Sequence, residues 1–413
     1  MFVRKNVTPL VPALLSVTLL TAGCADQGDA KSGSAKPTSS ATPHGYVEGA
    51  AEAAEQQSRL LLADPGTGDT RVLDLITGKI HDTARTPGVT ALTTDGRFGY
   101  FHGADGTHVL DSGAWMVDHG DHVHYYRAKI KEAGELPGGT GASIRSDAGV
   151  TVVTTADGKA GVHPRADLEN GTLGTPDRLP GTYAGPVVPY AEHLITLTRD
   201  GDAPAKADVL DRSGKRVAAV KSECRDPKGD AVTRRGIVIG CADGALLIDE
   251  DDGTFSAEKI PYGEDVPTEE RATEFRHRPG SSTLTAPAGE DAVWVLDVTE
   301  GAWTRVETGP VVAANTAGEG SPLVVLETDG ALHGYDISTG KETKVTEPLL
   351  KHLPEASAAG KAAAPVIEVD RSRAYLNDPA GRRVYEIDYN DGLRVARTFD
   401  LDLRPSLMVE TGR

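Results

Sequence analysis

The chain has 413 residues and a formal net charge of −18, from 61 acidic against 43 basic side chains, with only 5% aromatics. Such a surface repels phosphate backbones and anionic headgroups and offers no platform for stacking bases. It excludes nucleic acid as a partner and leaves the folded part no electrostatic hold on a membrane.

At the start of the chain, Arg4 and Lys5 precede an apolar run from Val11 to Leu20, and Thr21-Ala22-Gly23-Cys24 follows. A charged beginning, a short apolar stretch and small residues before a break are the anatomy of a secretory signal. The run is too short to span a bilayer comfortably. Cys24 directly after Ala22-Gly23 resembles a bacterial lipobox, with threonine at the first position where leucine is usual. That resemblance implies that residues 1–23 are a lipoprotein signal peptide and that Cys24 is lipidated. The exported protein is then held on the outer face of the cytoplasmic membrane by its lipid anchor alone. Losing Arg4 and Lys5 with the signal takes the net charge to about −20. Residues 24–56 carry few large apolar side chains, notably in ADQGDAKSGSAKPTSSATP after the cysteine, and read as a flexible tether.

From residue 57 the chain repeats itself. Short β-branched runs end in Asp-Gly turns, a second run follows and ends at an Asp, and a Gly turn leads onward. Thr107–Asp111, Ala207–Asp211, Ala292–Asp297 and Val384–Asp388 are instances, with turns at Asp105-Gly106, Asp157-Gly158, Asp200-Gly201, Asp243-Gly244 and Asp329-Gly330. Asp-Gly between apolar runs is a hairpin signal, because glycine accepts positive φ without a Cβ clash. From Asp74 to Asp388 the units recur about every 45 residues, the period of a propeller blade. The predicted fold is therefore all-β, a single β-propeller over residues 57–413, with eight blades and seven as the alternative count. The third unit, near His163, and the sixth are degenerate. Residues 59–74 supply two strands, and Leu393–Leu401 with Ser406–Glu410 supply two more. The expectation is that these pair into one blade and close the ring from both termini.

Histidines concentrate in Val117-Asp118-His119-Gly120-Asp121-His122-Val123-His124-Tyr125-Tyr126-Arg127, which holds three of the chain's twelve. On an extended strand His122 and His124 point to the same face. His119 and Asp121 sit just before them, where Gly120 lets the backbone turn back. Imidazole nitrogen with carboxylate oxygen favours zinc among the common metals. The alternative is a solvent-facing polar turn whose histidines merely share hydrogen bonds. By repeat position this stretch begins the innermost strand of the third blade. A metal site there requires His122 and His124 to converge in the channel mouth, with a further N or O donor within about 4 Å of a shared centre. If the two rings lie on the outer surface, or no third donor is near, the metal reading fails.

Cys224 and Cys241 remain as an even pair in an exported chain, seventeen positions apart. Their spacing is neither that of a redox motif nor of a zinc motif, so they read as a structural disulfide.

The stretch VDHGDHVHYYR resembles the AztD-type family of exported zinc metallochaperones, which deliver zinc to AztABC-type importers. Gly240-Cys241-Ala242-Asp243-Gly244 and Leu326–His333 continue the resemblance, which spans the chain from about residue 57. It implies a β-propeller that binds zinc and hands it to the solute-binding protein of a zinc ABC transporter. It also implies His122 and His124 as zinc ligands, assisted by His119 or Asp121. Family histidines at later blades are missing here: the corresponding stretches Thr182–Gly185 and Asp226–Asp230 carry none.

Elsewhere, His102 and His108 flank the Asp105-Gly106 turn, and His163, His193 and His333 lie singly on or beside strands. The acidic run Asp249–Asp252 lacks the later glutamate of a calcium loop. No nucleophile elbow, phosphate-binding loop or metalloprotease helix is present, so the chain is not expected to be an enzyme. Three functions compete: a lipid-anchored zinc carrier, a metal-free propeller that serves as an interaction scaffold on the membrane's outer face, and an enzyme that uses the channel as its active site. The histidine cluster separates the first from the second, and the third would need a nucleophile or an acid–base pair that the sequence does not offer.

Overall fold

A computed structural model describes residues 47–119, 122–318, 320–353 and 364–413. The stretch expected to be a signal peptide, Cys24, the part of the expected tether up to residue 46, and Asp121 lie outside the described residues.

The chain is a β-propeller, built from antiparallel meanders that follow one another in sequence. The second meander shows the pattern. Ala91–Thr94, Phe98–His102, Thr107–Asp111 and Lys131–Leu136 pair in that spatial order, from the innermost strand outward. Eight such sheets succeed one another among the described residues, and a ninth, smaller sheet stands apart from them. The third sheet has a short helix, Arg165–Asn170, ahead of a two-residue outer strand, Asp177–Arg178. In the sixth, only the isolated bridge Arg276↔Thr285 stands where an innermost strand would run. These are the two units whose repeats are degenerate in sequence.

The repeated aspartates have a local cause. Several of them close the turn that leaves their blade's third strand. Asp74 Oδ1 accepts the Thr77 backbone N–H and its hydroxyl, both at 2.9 Å. Asp336 Oδ1 likewise accepts the Thr339 N–H at 2.8 Å and the Ser338 hydroxyl at 2.7 Å. Gly78 and Gly340 follow four residues on, at φ 69° and 67°. A carboxylate that satisfies turn N–H groups and a glycine that takes the left-handed conformation form one device, repeated around the ring.

Second strands are buried on both faces because a blade has a neighbour on each side. Leu60, Leu61 and Leu62 are all fully buried. Alternation sends them to different cores: Leu60 and Leu62 pack with Tyr375 and Val384 of the last sheet. Leu61 packs with Phe101 and Leu110 of the second. Period-two geometry thus turns one apolar run into two inter-blade interfaces.

Ring closure differs from the expectation in detail. Leu407–Thr411 crosses to pair with Arg59–Ala63 as the first sheet's innermost strand. Arg394–Asp400, expected beside it, instead pairs with Arg383–Asp388 and completes the last sheet. The first sheet finds its outer strand locally, in Ile80–Asp82. One strand from the C-terminus therefore closes the ring, because the short turn after Asp388 returns the chain to its own blade.

The histidine stretch is also placed differently. The innermost strand of the third sheet is Ser143–Ser146, not the stretch around His122. Ala114–Asp118 and Val123–Arg127 form a hairpin inserted between the third and outer strands of the second sheet. Its alternating apolar pattern imitates a blade strand, and its position along the chain falls where the next unit would begin. A third strand, Ala51–Ala53, pairs along Val123–Arg127. Those residues fall within the expected tether, so the ordered part begins before residue 57.

Candidate metal centre

The hairpin's register brings the three histidines together. His119 N–H donates to the His122 carbonyl at 2.9 Å, so these residues face each other across the tip. Below them Asp118 opposes Val123, and Val117 opposes His124. Opposed residues share a face, and so do residues two apart on one strand. His119, His122 and His124 therefore stand on one face. The His119 and His122 rings stack with centroids 5.0 Å apart, and the His124 ring meets each edge-on at 5.3 and 4.9 Å. One ligand nitrogen from each of the three lies within 4.8 Å of the others. Among the described residues no other group of three potential ligands comes so close.

The same face runs downward into an anchor. Trp115 opposes Tyr126, and the two rings stack at 5.2 Å. The Arg97 guanidinium lies 3.8 Å over Trp115, tying the hairpin to the inner turn of its own blade. Trp115 and Tyr126 are buried, His124 is half-buried, and His119 and His122 are exposed. A buried aromatic foot and a solvent-facing imidazole tip suit a site that must exchange its occupant. From the N-terminal strand, Glu52 Oε1 meets His124 Nδ1 at 2.6 Å. This bond engages Nδ1 and leaves Nε2 of the ring for other partners, the usual role of a carboxylate behind a metal-binding imidazole.

Tetrahedral zinc with Zn–N bonds of about 2.0–2.1 Å holds its ligand nitrogens about 3.4 Å apart. From a spacing of up to 4.8 Å, the rings must draw in by up to about 1.4 Å on binding. Three imidazoles fit zinc and leave a fourth position for water or an incoming ligand. The three rings converge, but at the exposed tip of an inserted hairpin and not in the channel mouth, so the placement that the sequence reading required is not met. Sequence reasoning also missed Glu52, because nothing in the composition of residues 24–56 marks Ala51–Ala53 as a strand.

The five other histidines singled out in the sequence are held separately from the cluster. His102 is buried between the Thr93 and Thr107 hydroxyls, and burial pushes its pKa down to about 4. His108 is held by Glu132 at 2.5 Å and Glu135 at 2.8 Å, and the bond to Glu132 foremost raises its pKa. Burial lowers the His333 pKa, but bonds to Glu342 at 3.0 Å and Asp329 at 3.1 Å more than compensate and the net shift is upward. His163 is buried, which lowers its pKa. His193 Nδ1 contacts the Ala191 carbonyl at 2.7 Å. The acidic run belongs to a hairpin, with Asp252 and Gly253 at φ 47° and 77° between paired strands. Cys224 and Cys241 are disulfide-bonded with Cα atoms 5.2 Å apart, stapling the fourth sheet's outer strand to the fifth sheet.

No family model matches the chain, and no curated protein sequence does. Among solved structures, apo AztD from Citrobacter koseri superposes with a TM-score of 0.69 at 18% identity, over 86% of this chain and 98% of that one. A second Citrobacter koseri AztD structure gives 0.68 at 20%, with the same coverage of both chains. The dihydro-heme d1 dehydrogenase NirN gives 0.52 at 16%, over 86% of this chain and 75% of NirN. At these identities the likeness establishes the propeller fold. Among the described residues no helix is long and apolar enough to cross a membrane.

Proposed function

We propose that this protein binds zinc through His119, His122 and His124 and carries or buffers it outside the cytoplasmic membrane for an ABC-type zinc importer. The carrying observation is the convergence of three imidazole nitrogens within 4.8 Å on one exposed hairpin face. Zinc is cargo in this role, not a resident cofactor. Three protein ligands retain an ion while leaving a coordination position through which an acceptor's ligand can attack before the last imidazole departs. The receiving partner is the importer's solute-binding protein, and lipidated Cys24 keeps the donor at the membrane where that partner works. The propeller likeness to AztD supports this reading, as does Glu52 behind His124. The role is carriage, not catalysis.

Zinc competition against a chromophoric chelator, on the soluble domain from residue 45, tests the proposal. One-to-one binding that is lost in the His122→Ala/His124→Ala double variant is expected. Weak binding that the double variant leaves unchanged would overturn it and favour a metal-free scaffold on the outer face of the membrane.

A further inference from the structure

The strand Ala51–Ala53 belongs to none of the propeller's blades. It runs along one edge of Val123–Arg127, with Glu52 opposite Tyr126, and so completes the small sheet that carries the histidines. Opposed residues share a face, as do residues two apart, which puts the Glu52 side chain on the His124 side of that sheet. His124 is the one ion-pair partner of Glu52 among the described residues.

Little besides that bond and the backbone pairing holds the strand. Ala51 and Glu52 are exposed and Ala53 is half-buried, so the two alanines contribute only a methyl group each. Ordering three residues at an exposed edge costs conformational entropy that so little burial barely offsets, and the docked and open states lie close in free energy. The chain that follows is fixed independently. Ala54 and Glu55 are exposed, whereas Gln57 and Ser58 are buried, and Gln56 Nε2 donates to Ser58 Oγ at 2.7 Å. Beyond them Arg59–Ala63 is locked into the ring by Leu407–Thr411. Turning about Ala54 and Glu55, the strand can leave the hairpin without unpairing any blade strand.

We propose that Ala51–Ala53 is a strap that gates the histidine site: docked, it tightens the hold on zinc through Glu52, and open, it lets the ion go. This inference rests on the zinc reading and adds how release is controlled. A carboxylate behind a metal-binding imidazole raises its affinity for the metal, and linkage requires that zinc in turn favour the docked strap. Release then needs three residues to open and leaves every blade closed.

Transfer of bound zinc to an excess of chromophoric chelator, timed by stopped flow on the soluble domain from residue 45, tests the gate. A chain that begins at Gln56 keeps every blade strand but lacks the strap, and should release zinc about tenfold faster. Ala53 opposes Tyr125, on the face away from His124. An Ala53→Cys/Tyr125→Cys disulfide therefore holds the strap shut without touching a ligand, opposed Cα atoms being about 4.5–5.5 Å apart. The oxidised staple should release zinc several-fold more slowly than the Ala53→Ser/Tyr125→Ser variant, and it retains the whole strand should the shortened chain prove unstable. In metal-free protein the Ala51–Ala53 amides should exchange faster than those pairing Val123–Arg127 with Ala114–Asp118, and equal rates would overturn a strap that opens by itself. Release from the staple as fast as from the serine variant would overturn the gate even with a faster shortened chain, because the strap would then tighten the site without having to open. A domain that binds no zinc would remove the zinc reading and the gate with it, whereas one-to-one binding with equal release from all forms overturns the gate alone.

Discussion

Glu52 is the sharpest test of how the metal hairpin works, because it reaches His124 from a strand that nothing in the sequence announces. Its Oε1 lies 2.6 Å from His124 Nδ1. Removing a carboxylate that orients a metal-binding imidazole costs about 10–100-fold in metal affinity. The Glu52 side chain is 49% exposed and that of His124 11%, so water replaces part of the lost bond. The expected cost of Glu52→Ala is therefore about tenfold, or roughly 1.4 kcal/mol. Glu52→Gln keeps an acceptor oxygen without the charge and should fall between wild type and Ala. Chelator competition on the soluble domain from residue 45 measures all three, with His124→Ala as the limit of losing the ligand itself. Glu52→Ala equal to wild type, with His124→Ala strongly impaired, would refute an orienting role. A loss as large as that of His124→Ala would make Glu52 a ligand in its own right.

Three further outcomes follow from the fold. Glu410 is fully buried, and burial raises its pKa to about 8, outweighing the Arg413 ion pair at 2.9 Å. A carboxyl whose folded value exceeds its unfolded one contributes stability that is complete below about 4.5 and disappears as pH rises toward about 8. Glu410→Gln should accordingly flatten the dependence of melting temperature on pH across that window, and an unchanged slope would contradict the assignment. Reduction of Cys224–Cys241, which closes a loop over a separation of 17 residues, should lower unfolding free energy by about 3 kcal/mol. Denaturant titration with and without reductant measures this, and the Cys224→Ser/Cys241→Ser variant should be insensitive to reductant. Trp115→Ala removes the stacked foot under Arg97 and Tyr126. It should expose the segment around residues 112–130 to limited proteolysis and weaken zinc binding while leaving the global melting temperature within a few degrees; equal protease resistance would refute the anchor.

Much of the fold was legible because each repeated residue has a local task. Asp74 and Asp336 close turns through their own carboxylates, and the Asp-Gly pairs lie between the second and third strands where hairpin chemistry puts them. The apolar runs at Arg59–Ala63 and Phe98–His102 record burial between two neighbours. Partner choice among strands was less legible. Arg394–Asp400 and Leu407–Thr411 have similar propensities, and only the connection lengths decide that the first returns to its own blade while the second crosses to Arg59–Ala63.

The site divides along the same line. His119, His122 and His124 share a face through hairpin register alone, a local relation that alternation predicts correctly. Their place in the ring is a global relation, and periodicity misplaced it, because the units recur unevenly: the interval that the inserted hairpin lengthens, from Asp111 to His163, is no longer than that from Asp336 to Asp388. That insertion has a functional consequence. A ligand set on an innermost strand would be constrained by the inter-blade packing that gives the propeller its stability, and closing three imidazoles onto zinc would strain that packing. On a hairpin held at its foot by Trp115, Tyr126 and Arg97, the tip can close by about an ångström without disturbing a blade. Zinc occupancy should therefore change protection at the tip, and along Ala51–Ala53 through Glu52, while amide exchange in the second strands stays as it is in the metal-free protein. Protection that rises throughout the second strands on zinc addition would show instead that the hairpin and the ring respond as one unit.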